Sequence, residues 1–452
     1  MLPFVTEKRL HDEVTGRAGL TLVVEAFRAL GLDEDALQLL PVQQRRRGFD
    51  AAEKLEALVT LIAEGGERVE DIQVLAADRG LLRLLGTELP SPDALLDFLH
   101  AFHDPDCWAG RPADKKAFVP PESEALRGLG ELNRKLVERA ASPDATTATV
   151  DHDGTIIESH KRDAKVAYEG TRGFQPLVAT WAEEELVLAD EFRDGNVAGG
   201  EDPLSSVRRA FGQLPARVTQ RYYRADSASY YEPLLKWLAS EAIGFTISAD
   251  MSPELRALCT AVPAQDWEVL EKRTTETASI AEVEFTPGNW PKAAQPLRYL
   301  AIRFDPAQGS LFAAEGPKYL AVVTNRQGLK PAELVRWHWE KAGTIEHVHR
   351  VMKDELAAGV MPSQSFGANA AWFRINALTF NLLTLLKRRA LPDRLRKARP
   401  KRLRFEIFSI PARLTLRQRQ LVADIAIADG RAKEWEQARE RLLGFYEARP
   451  HA

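Results

Sequence analysis

Acidic residues stand at three places where the expected local structure would hold them still. The first is the stretch TATVDHDGTII, which is short, rich in β-branched residues and bounded by turn residues, and which we predict to be a strand. Because side chains alternate between the two faces of a strand, Asp151, Asp153 and Thr155 share one face. Two carboxylates on one face are costly unless they are solvated, paired or bound to a metal.

The other two acids come from a strand end and from a helix. Asp226 ends the predicted strand ARVTQRYYRAD, where α/β folds usually bind their ligands, although it could equally cap the next helix. Glu346 lies in the predicted helix TIEHVHRVMKDEL, on one face with Arg350 and Lys353. An ordinary surface ion pair between Glu346 and Arg350 would explain that spacing as well.

Together the three acids, Asp153, Asp226 and Glu346, suggest a site for two divalent metal ions. Mg²⁺ prefers a few carboxylates with water and substrate phosphate oxygens, and we expect Mn²⁺ to substitute for it. Two ions about 3.5–4 Å apart would stabilise the attacking and leaving oxygens of an in-line displacement at phosphorus. Lys353 and Arg350 could then bind a phosphate beside the scissile bond.

Other chemistries have weaker support from the residues. Several histidines lie near these motifs, but no pair has the spacing of a His-Glu-x-x-His zinc site, and His347 and His349 project from different helix faces. The chain has no GxxxxGK[ST] phosphate loop, which argues against chemistry driven by ATP. Cys107 and Cys259 lack metal-ligand spacing, so we expect reduced, structural thiols.

These stretches resemble, in the same order, the motifs of the DDE transposases of bacterial insertion sequences, in the branch with a Tyr-Arg-Glu-Lys signature. DHDGTII is similar to that family's first-aspartate strand, GFQPLVA to its Gly-aromatic-x-Pro-Leu strand, and FRDGNV to its Arg-x-Gly-Asn turn. YYRADSASY resembles its second-aspartate motif, WEKAGTIEHVHRVMKDEL its signature helix, and SFGANAAWFRINALTFNLLTLLKRR the helix that follows. The resemblance covers roughly residues 147–413, and six pieces in the family's order make it specific.

The resemblance assigns roles to individual residues. Asp153, which precedes a small residue and a threonine, matches the first catalytic acid and metal ligand of the family. Asp226 matches the second acid and Glu346 the third, and Lys353 matches the lysine of the signature.

Two positions of the signature helix depart from the family's pattern. Trp339 stands where tyrosine is usual and lacks its hydroxyl, and Ala342 stands where an arginine usually contacts phosphate. Lys341 could replace that arginine in part, although it projects about 100° away from it on a helix. These departures bear on phosphate binding and on the level of activity, and leave the three acids untouched.

The resemblance implies an RNase H-like catalytic core with an antiparallel β insertion before the glutamate helix. It also implies cut-and-paste transposition by a dimer bound to double-stranded DNA with terminal inverted repeats. In such enzymes a metal-activated water nicks one strand, and the freed 3′-hydroxyl attacks phosphorus again, first for excision and then for joining to target DNA. Related members form a hairpin on the transposon end, helped by an aromatic residue that stacks on a flipped base. Trp290 is a candidate for that role, and a buried core tryptophan is the alternative.

The elements that must position these residues predict an α/β protein of five regions. Apolar residues at three- and four-residue steps predict a helical domain over residues 1–141, whose short helices fit a DNA-binding helix-turn-helix module and a generic helical bundle equally well. Strands alternating with helices predict an α/β sheet over 142–261, where the resemblance implies the first part of the RNase H-like core, and a β-rich insertion follows at 262–330. Residues 331–392 hold the second part of the core with the glutamate helix, and 393–452 form a basic and helical C-terminal region.

Composition is compatible with this interpretation and limits others. With 45% hydrophobic and 28% charged residues, the chain is typical of soluble globular proteins. The net charge of −4 argues weakly against nucleic-acid binding, but cations cluster at Arg45, Arg46 and Arg47 and again over residues 386–404. A solvated helix end is the alternative for the second cluster. No apolar run approaches the roughly 20 residues that cross a bilayer, and no signal sequence is evident, so we expect a cytoplasmic, nucleoid-associated protein.

Two alternatives to an active transposase remain open at this point. One is a non-catalytic DNA-binding descendant that has kept the fold, which Ala342 motivates. The other is a nuclease on the same core that cleaves DNA whatever its end sequence.

Overall fold

A computed structural model describes residues 14–42, 48–112, 116–161, 164–167, 169–288, 290, 296–307 and 316–447. The basic group Arg45, Arg46 and Arg47 lies outside these ranges, so its predicted DNA contact has no structural counterpart here. Within the described residues, no helix is both long enough and apolar enough to span a membrane.

In the described residues up to 140, all the regular structure is helical apart from one short strand. Its elements are β1 (Val14–Thr15), α1 (Thr21–Ala29), α2 (Leu32–Leu39), α3 (Ala51–Glu64), α4 (Ile72–Ala76), α5 (Arg79–Leu85), α6 (Pro92–His100) and α7 (Glu124–Ala140). Local signals set the helix ends. The Asp50 carboxylate accepts from the Glu53 backbone N–H at 2.8 Å and the Glu53 carboxylate accepts from the Asp50 N–H, which caps α3 at its start.

Strands predominate between residues 147 and 324. They are β2 (Thr147–Gly154), β3 (Ile157–Glu158), β4 (Lys165–Val166), β5 (Arg172–Phe174), β6 (Leu177–Trp181), β7 (Leu186–Glu191), β8 (Gln220–Ala225), β9 (Gly244–Ser248), β10 (Glu268–Lys272), β11 (Glu276–Val283), β12 (Arg298–Pro306) and β13 (Lys318–Thr324). Three helices lie among them: α8 (Pro203–Gly212), α9 (Glu232–Ser240) and α10 (Pro253–Ala261).

Nine of these strands form one mixed sheet in the order β10-β11-β12-β13-β9-β8-β2-β6-β7. The β2-β8 and β8-β9 pairs are parallel, so the carboxyl ends of these three strands meet at one edge. The remaining pairs are antiparallel. Within residues 262–330 the strands β10 to β13 pair in antiparallel order, and they extend the central sheet through β13 and β9.

Helices return after the sheet. They are α11 (Pro331–Trp339), α12 (Lys341–Glu355), α13 (Phe366–Arg389), α14 (Pro400–Leu403) and α15 (Asp429–Glu447). Every residue of α13 from Gly367 to Leu386 is buried, because the helix packs against α3, α6, α7 and β7. The helix is nevertheless not apolar on all sides: Asn369, Arg374 and Asn381 are buried in it, and each is hydrogen-bonded.

The C-terminal region is not wholly helical, which corrects the sequence prediction. Strands β14 (Ala412–Arg417) and β15 (Gln420–Ile425) form a hairpin, and β1 pairs with β14. The two-residue turn consists of Gln418 and Arg419, both with positive φ, as a type I′ turn requires. The hairpin was missed because glycine and asparagine, the usual signals of such a turn, are absent.

The terminal regions and the sheet share one hydrophobic core. It joins residues of α1, the central sheet, α13 and α15, including Phe27, Val150, Phe373 and Trp435. A second, smaller cluster packs α11 onto the face of the β10–β13 strands. The helical N-terminal region is therefore not packed as a separate unit.

Candidate active site

Asp153 and Asp226 lie beside each other at the carboxyl ends of neighbouring parallel strands. In the β2-β8 pairing His152 is opposite Ala225, and the next residue on each strand is an aspartate. Burial raises the pKa of the Asp226 carboxyl, and the negative charge of Asp153 raises it further. Two acids that repel each other in this way form a natural place for a cation.

A loop and a turn hold Asp226 in position. Its carboxylate accepts from the Ala228 backbone N–H at 3.1 Å, so Asp226 also caps the short turn that follows. Gly200 packs so closely on this turn that an added β-carbon would lie 3.2 Å from the Ala228 carbonyl oxygen. The loop carrying Gly200 is held by Arg193, a fully buried guanidinium that donates to the Glu201 carbonyl oxygen at 2.7 Å. The FRDGNV motif thus supports the second aspartate.

Asp151 has a structural partner, although it shares a strand face with Asp153. The Arg224 guanidinium donates to both oxygens of Asp151 at 2.7 and 2.9 Å, and both side chains are buried. Arg224 also donates to the Trp337 carbonyl oxygen at 2.6 Å, and the Thr344 hydroxyl donates to Asp151. This cluster fixes the junction of α11 and α12 on the sheet, and so positions the helix that carries Glu346.

Lys341, which the sequence offered as a partial replacement for the arginine missing at position 342, reaches the carboxylate of Asp153. It is the first residue of α12, and its Nζ lies 3.5 Å from an Asp153 carboxylate oxygen, with 13% of its side chain exposed. Its positive charge also lowers the pKa of Asp226, against the larger effects of burial and of Asp153. In this arrangement Lys341 is paired with an acid, whereas the sequence predicted contact with phosphate.

Glu346 lies on α12, the helix whose first residue, Lys341, reaches Asp153. Glu346 and Lys353 are seven residues apart, about two helical turns, and so share a face. Lys353 donates to the Ile156 carbonyl oxygen at 2.7 Å and to the Thr155 hydroxyl at 3.3 Å, which brings that face against the loop after Asp153. Glu346 itself is exposed.

The described residues contain no group of three or more histidine, cysteine or acidic side chains that could hold a metal ion. The predicted set is therefore only partly assembled, with Asp153 and Asp226 together and Glu346 apart. Beside Asp153 an open cleft of about 640 Å³ is lined by Thr155, Glu158 and Lys353, among others. Arg350 is exposed further along α12, with its guanidinium 3.2 Å from the His347 ring.

Asp250 is an acid of this edge that sequence reasoning missed. It follows β9, the third parallel strand, just as Asp226 follows β8. Burial raises the pKa of Asp250, and the negative charge of Asp226 raises it further, so the two carboxyls are close enough to interact. The signal was available, because GFTISAD ends in an acid in the same way as YYRAD.

The histidines near the site bind hydroxyl groups. The ring of His152 lies 3.2 Å from both the Ser206 and Tyr223 hydroxyls, and burial lowers its pKa to about 3. His338 bridges the hydroxyls of two β9 residues, each at 3.1 Å. These contacts fit neutral core histidines and give no support to a zinc hydrolase.

The remaining predicted residues lie apart from the acids. Trp290 is 8% exposed and packs in the main core, so no base could stack on it in this conformation. Trp339, which replaces the tyrosine of the signature, packs near Phe304 beneath the Arg273 guanidinium, whose carbon is 5.0 Å from the ring centroid. Ala342 is exposed. Both departures are thus compatible with the fold.

Ion pairs neutralise much of the basic run at residues 386–404. They are Arg388 with Glu184, Arg394 with Glu406 and Glu434, Arg399 with Glu355, and Arg402 with Glu406. Within the described part of the chain, Arg396, Lys397 and Lys401 are exposed and have no ion pair. A smaller cationic surface remains than the sequence predicts.

A search of curated proteins finds no match. Among solved structures, the chain is similar to the piggyBac transposase in its synaptic complex with hairpin DNA. The likeness covers 85% of this chain and 79% of that one, with a TM-score of 0.50 and 11% sequence identity, and so concerns the fold alone. A family model described as Transposase DDE domain group 1 matches residues 10–444, nearly the whole length, and the chain therefore belongs to this family of transposases.

Proposed function

We propose that this protein is a cut-and-paste DNA transposase in which Asp153, Asp226 and Glu346 form the catalytic centre of an RNase H-like core. The observation that carries the proposal is the pair of aspartates at the ends of β2 and β8, beside the helix that bears Glu346. Membership of the DDE transposase family supports the same assignment.

The residues at this edge fit divalent metal ions. Mg²⁺ is commonly held by one or two carboxylates, with water and substrate phosphate oxygens completing its ligands, and Asp153 with Asp226 supply such a pair. The raised pKa of Asp226 is consistent with a metal site, because a bound cation would offset the repulsion between the two carboxylates. Glu346 would complete a second site by turning its exposed side chain towards Asp153. Bound Mg²⁺ or Mn²⁺ would activate the nucleophile and neutralise the charge that develops at phosphorus.

The protein's own residues then serve to orient the acids and the DNA. The Asp151–Arg224 pair holds α12 against the sheet, and Lys353 holds the loop that follows Asp153. Arg350, exposed one turn from Glu346, is placed to contact a phosphate near the scissile bond. In the first reaction water attacks phosphorus and a DNA 3′-hydroxyl leaves. That hydroxyl is the nucleophile of the next step, which joins strands without a further energy source.

The substrate would be double-stranded DNA with terminal inverted repeats, held by a dimer, followed by target DNA. We assign the chain to the transposases of bacterial insertion sequences with the Tyr-Arg-Glu-Lys signature, modified at Trp339 and Ala342. A second candidate function is a non-catalytic DNA-binding protein with the same fold. The separation of Glu346 from the aspartate pair and the missing arginine at position 342 favour this alternative.

Strand cleavage tests the proposal. The substrate is DNA that carries the inverted repeats found on either side of the coding region, incubated with Mg²⁺ or Mn²⁺. We expect cleavage at the repeat ends, and its loss in Asp153→Asn and in Asp226→Asn. Binding to the ends without metal-dependent cleavage would support the non-catalytic alternative, and cleavage that ignores the end sequence would support a nuclease.

A further inference from the structure

The ammonium group of Lys341 lies where a cation bound by the acid pair would lie. Its Nζ is 3.5 Å from an oxygen of Asp153, and its charge acts on Asp226 as well. The side chain is 13% exposed and that of Asp153 is 19% exposed, so the pair is partly shielded from water. Interactions between charges are stronger in such surroundings than on an open surface.

The elements around Lys341 supply no other anionic partner for it in the described structure. The acid of β2 two residues earlier, Asp151, is already bound by the two arms of the Arg224 guanidinium. The nearest titratable groups of β2 and α11 are the buried rings of His152 and His338, whose low pKa values keep them neutral. Lys341 is therefore held at the site by its ion pair with Asp153, and its charge also acts on Asp226.

We propose that Lys341 is the counter-ion of the acid pair and competes with the divalent metal for Asp153 and Asp226. This inference rests on the proposed function. A divalent ion bound to this carboxylate at about 2.0–2.1 Å would repel the ammonium that lies against the same group. Lys341 must then move away, and its flexible four-carbon chain can carry the charge to a DNA phosphate.

The same exchange would couple metal binding to DNA binding. Without DNA, Lys341 has no better partner than the acids and weakens metal binding. With DNA bound, a phosphate draws the ammonium away and frees the carboxylates. By thermodynamic reciprocity, metal must then strengthen DNA binding by the same factor. In the DNA-bound state Lys341 would also make the phosphate contact that the neighbouring Ala342 cannot make.

Mn²⁺ binding to the protein without DNA tests the inference, measured by electron paramagnetic resonance. We expect Lys341→Met to bind Mn²⁺ at least tenfold more tightly than the wild type. Lys272→Met is the matched control, because this exposed lysine belongs to β10, the outermost strand of the sheet and the one furthest from β2 and β8 on that side. Its Mn²⁺ affinity should stay within about twofold of the wild type. Unchanged or weaker binding in Lys341→Met overturns the inference.

A second measurement covers the case in which Lys341→Met does not fold. Uncleavable DNA added to the wild type should tighten Mn²⁺ binding at least tenfold, and a wild type that shows no such coupling contradicts the competition. The variant Asp153→Asn separates this inference from the proposed function. If Asp153→Asn binds Mn²⁺ as well as the wild type does, the proposed metal site is wrong. If it binds more weakly while Lys341→Met gains nothing, only the role of Lys341 is wrong.

Discussion

Asp151 and Asp153 share one face of β2 but meet different neighbours. Asp151 is fully buried and accepts two hydrogen bonds from Arg224, whereas Asp153 is partly exposed and faces Lys341 and Asp226. Removing one partner of a buried ion pair leaves a charge without compensation, which is far more costly than losing a partly solvated acid. The two aspartates should therefore respond differently to the same substitution.

We predict that Asp151→Ala lowers the free energy of unfolding by about 3–5 kcal/mol, because it leaves the buried Arg224 guanidinium with only the largely exposed Glu340 carboxylate as an ionic partner. Asp153→Ala should change it by less than about 1 kcal/mol, because this change also relieves the repulsion of Asp226. Urea unfolding of the two variants is the measurement. Equal losses in both would contradict the division of roles between the two residues.

Two of the three proposed acids could be placed from the sequence because alternation along a strand and position at a strand end are local properties. The partner of Asp151 could not, since Arg224 lies 73 residues further along the chain. The ion pair of Lys341 with Asp153 could not be predicted either, for a related reason. A helical projection gives the angle between two residues on α12, but which face meets the sheet depends on tertiary packing.

At the scale of elements, two motif glycines join the small sheet of β3, β5 and β4 to the site. A β-carbon on Gly173 would lie 2.0 Å from the Ile157 carbonyl oxygen, just after the loop that Lys353 holds. Gly195 packs in turn on Gly173, where a β-carbon would lie 2.7 Å from its carbonyl oxygen. The close approach of these backbone segments explains why GFQPLVA and FRDGNV each carry a glycine.

We predict that Gly173→Ala lowers the thermal midpoint of unfolding, since its methyl group would displace the backbone of β3. Gly212→Ala is the matched control. Nothing lies within 4 Å of a β-carbon at that position, and alanine is favoured over glycine in a helix by roughly 0.5–1 kcal/mol. Thermal unfolding of the two variants should give shifts of opposite sign. A Gly173→Ala protein as stable as the wild type would refute the close packing.

His338 makes the attachment of α11 to β9 sensitive to acid. Burial, together with the charges of Lys341 and Arg224, lowers its pKa to about 3, whereas an unfolded histidine titrates near 6.5. Between these two pH values the unfolded chain binds a proton at this histidine and the folded chain does not. The free energy of unfolding is therefore unaffected by this group above pH 6.5 and decreases as the pH falls below 6.5. The slope is roughly 1.4 kcal/mol per pH unit for one group.

We therefore predict that His338→Gln reduces the loss of stability between pH 7 and pH 5. The glutamine amide can still meet the β9 hydroxyls but does not titrate. Thermal unfolding of the wild type and the variant across this range is the measurement. Parallel pH profiles for the two proteins would show that His338 does not carry the effect.

Elements were predictable where the pattern is local and strong. The helices before residue 140 and the strands after residue 262 follow their periodicities. The hairpin of β14 and β15 did not stand out, because its turn residues Gln418 and Arg419 adopt positive φ without the usual residue types. Strand β13 extends the central sheet because it pairs with β9, some 70 residues earlier in the chain. No local sequence pattern encodes such a long-range pairing.

At the scale of the whole molecule, the two terminal regions support each other and the core. Strand β1 pairs with β14, and the Arg439 guanidinium of α15 donates to Glu25 of α1 at 2.8 Å. The basic run lies between these regions, tied by Arg399 to Glu355 at the end of α12. Many cations of the basic run therefore form ion pairs within the fold. The sequence alone could not show which of them are exposed without an ion pair.

The exposed cations of the basic run that have no ion pair in the described structure should contact DNA. We predict that a triple variant of Arg396, Lys397 and Lys401, each changed to glutamine, binds DNA with a weaker dependence on salt. If each cation meets one phosphate, the slope of log affinity against log salt falls by up to about 2.7. The control neutralises three exposed cations elsewhere: Arg83, Arg256 and Lys272. Equal slopes for both triple variants would contradict a DNA-binding surface at the basic run.

The proposed three-acid site depends on Glu346, the acid that lies apart from the aspartate pair. Metal-dependent cleavage of end DNA by Glu346→Gln tests it most directly, beside Asp354→Asn, which neutralises another exposed acid of the same helix. We predict that Glu346→Gln lowers the cleavage rate at least a hundredfold, whereas Asp354→Asn lowers it less than threefold. Cleavage by Glu346→Gln at the wild-type rate would contradict the three-acid site.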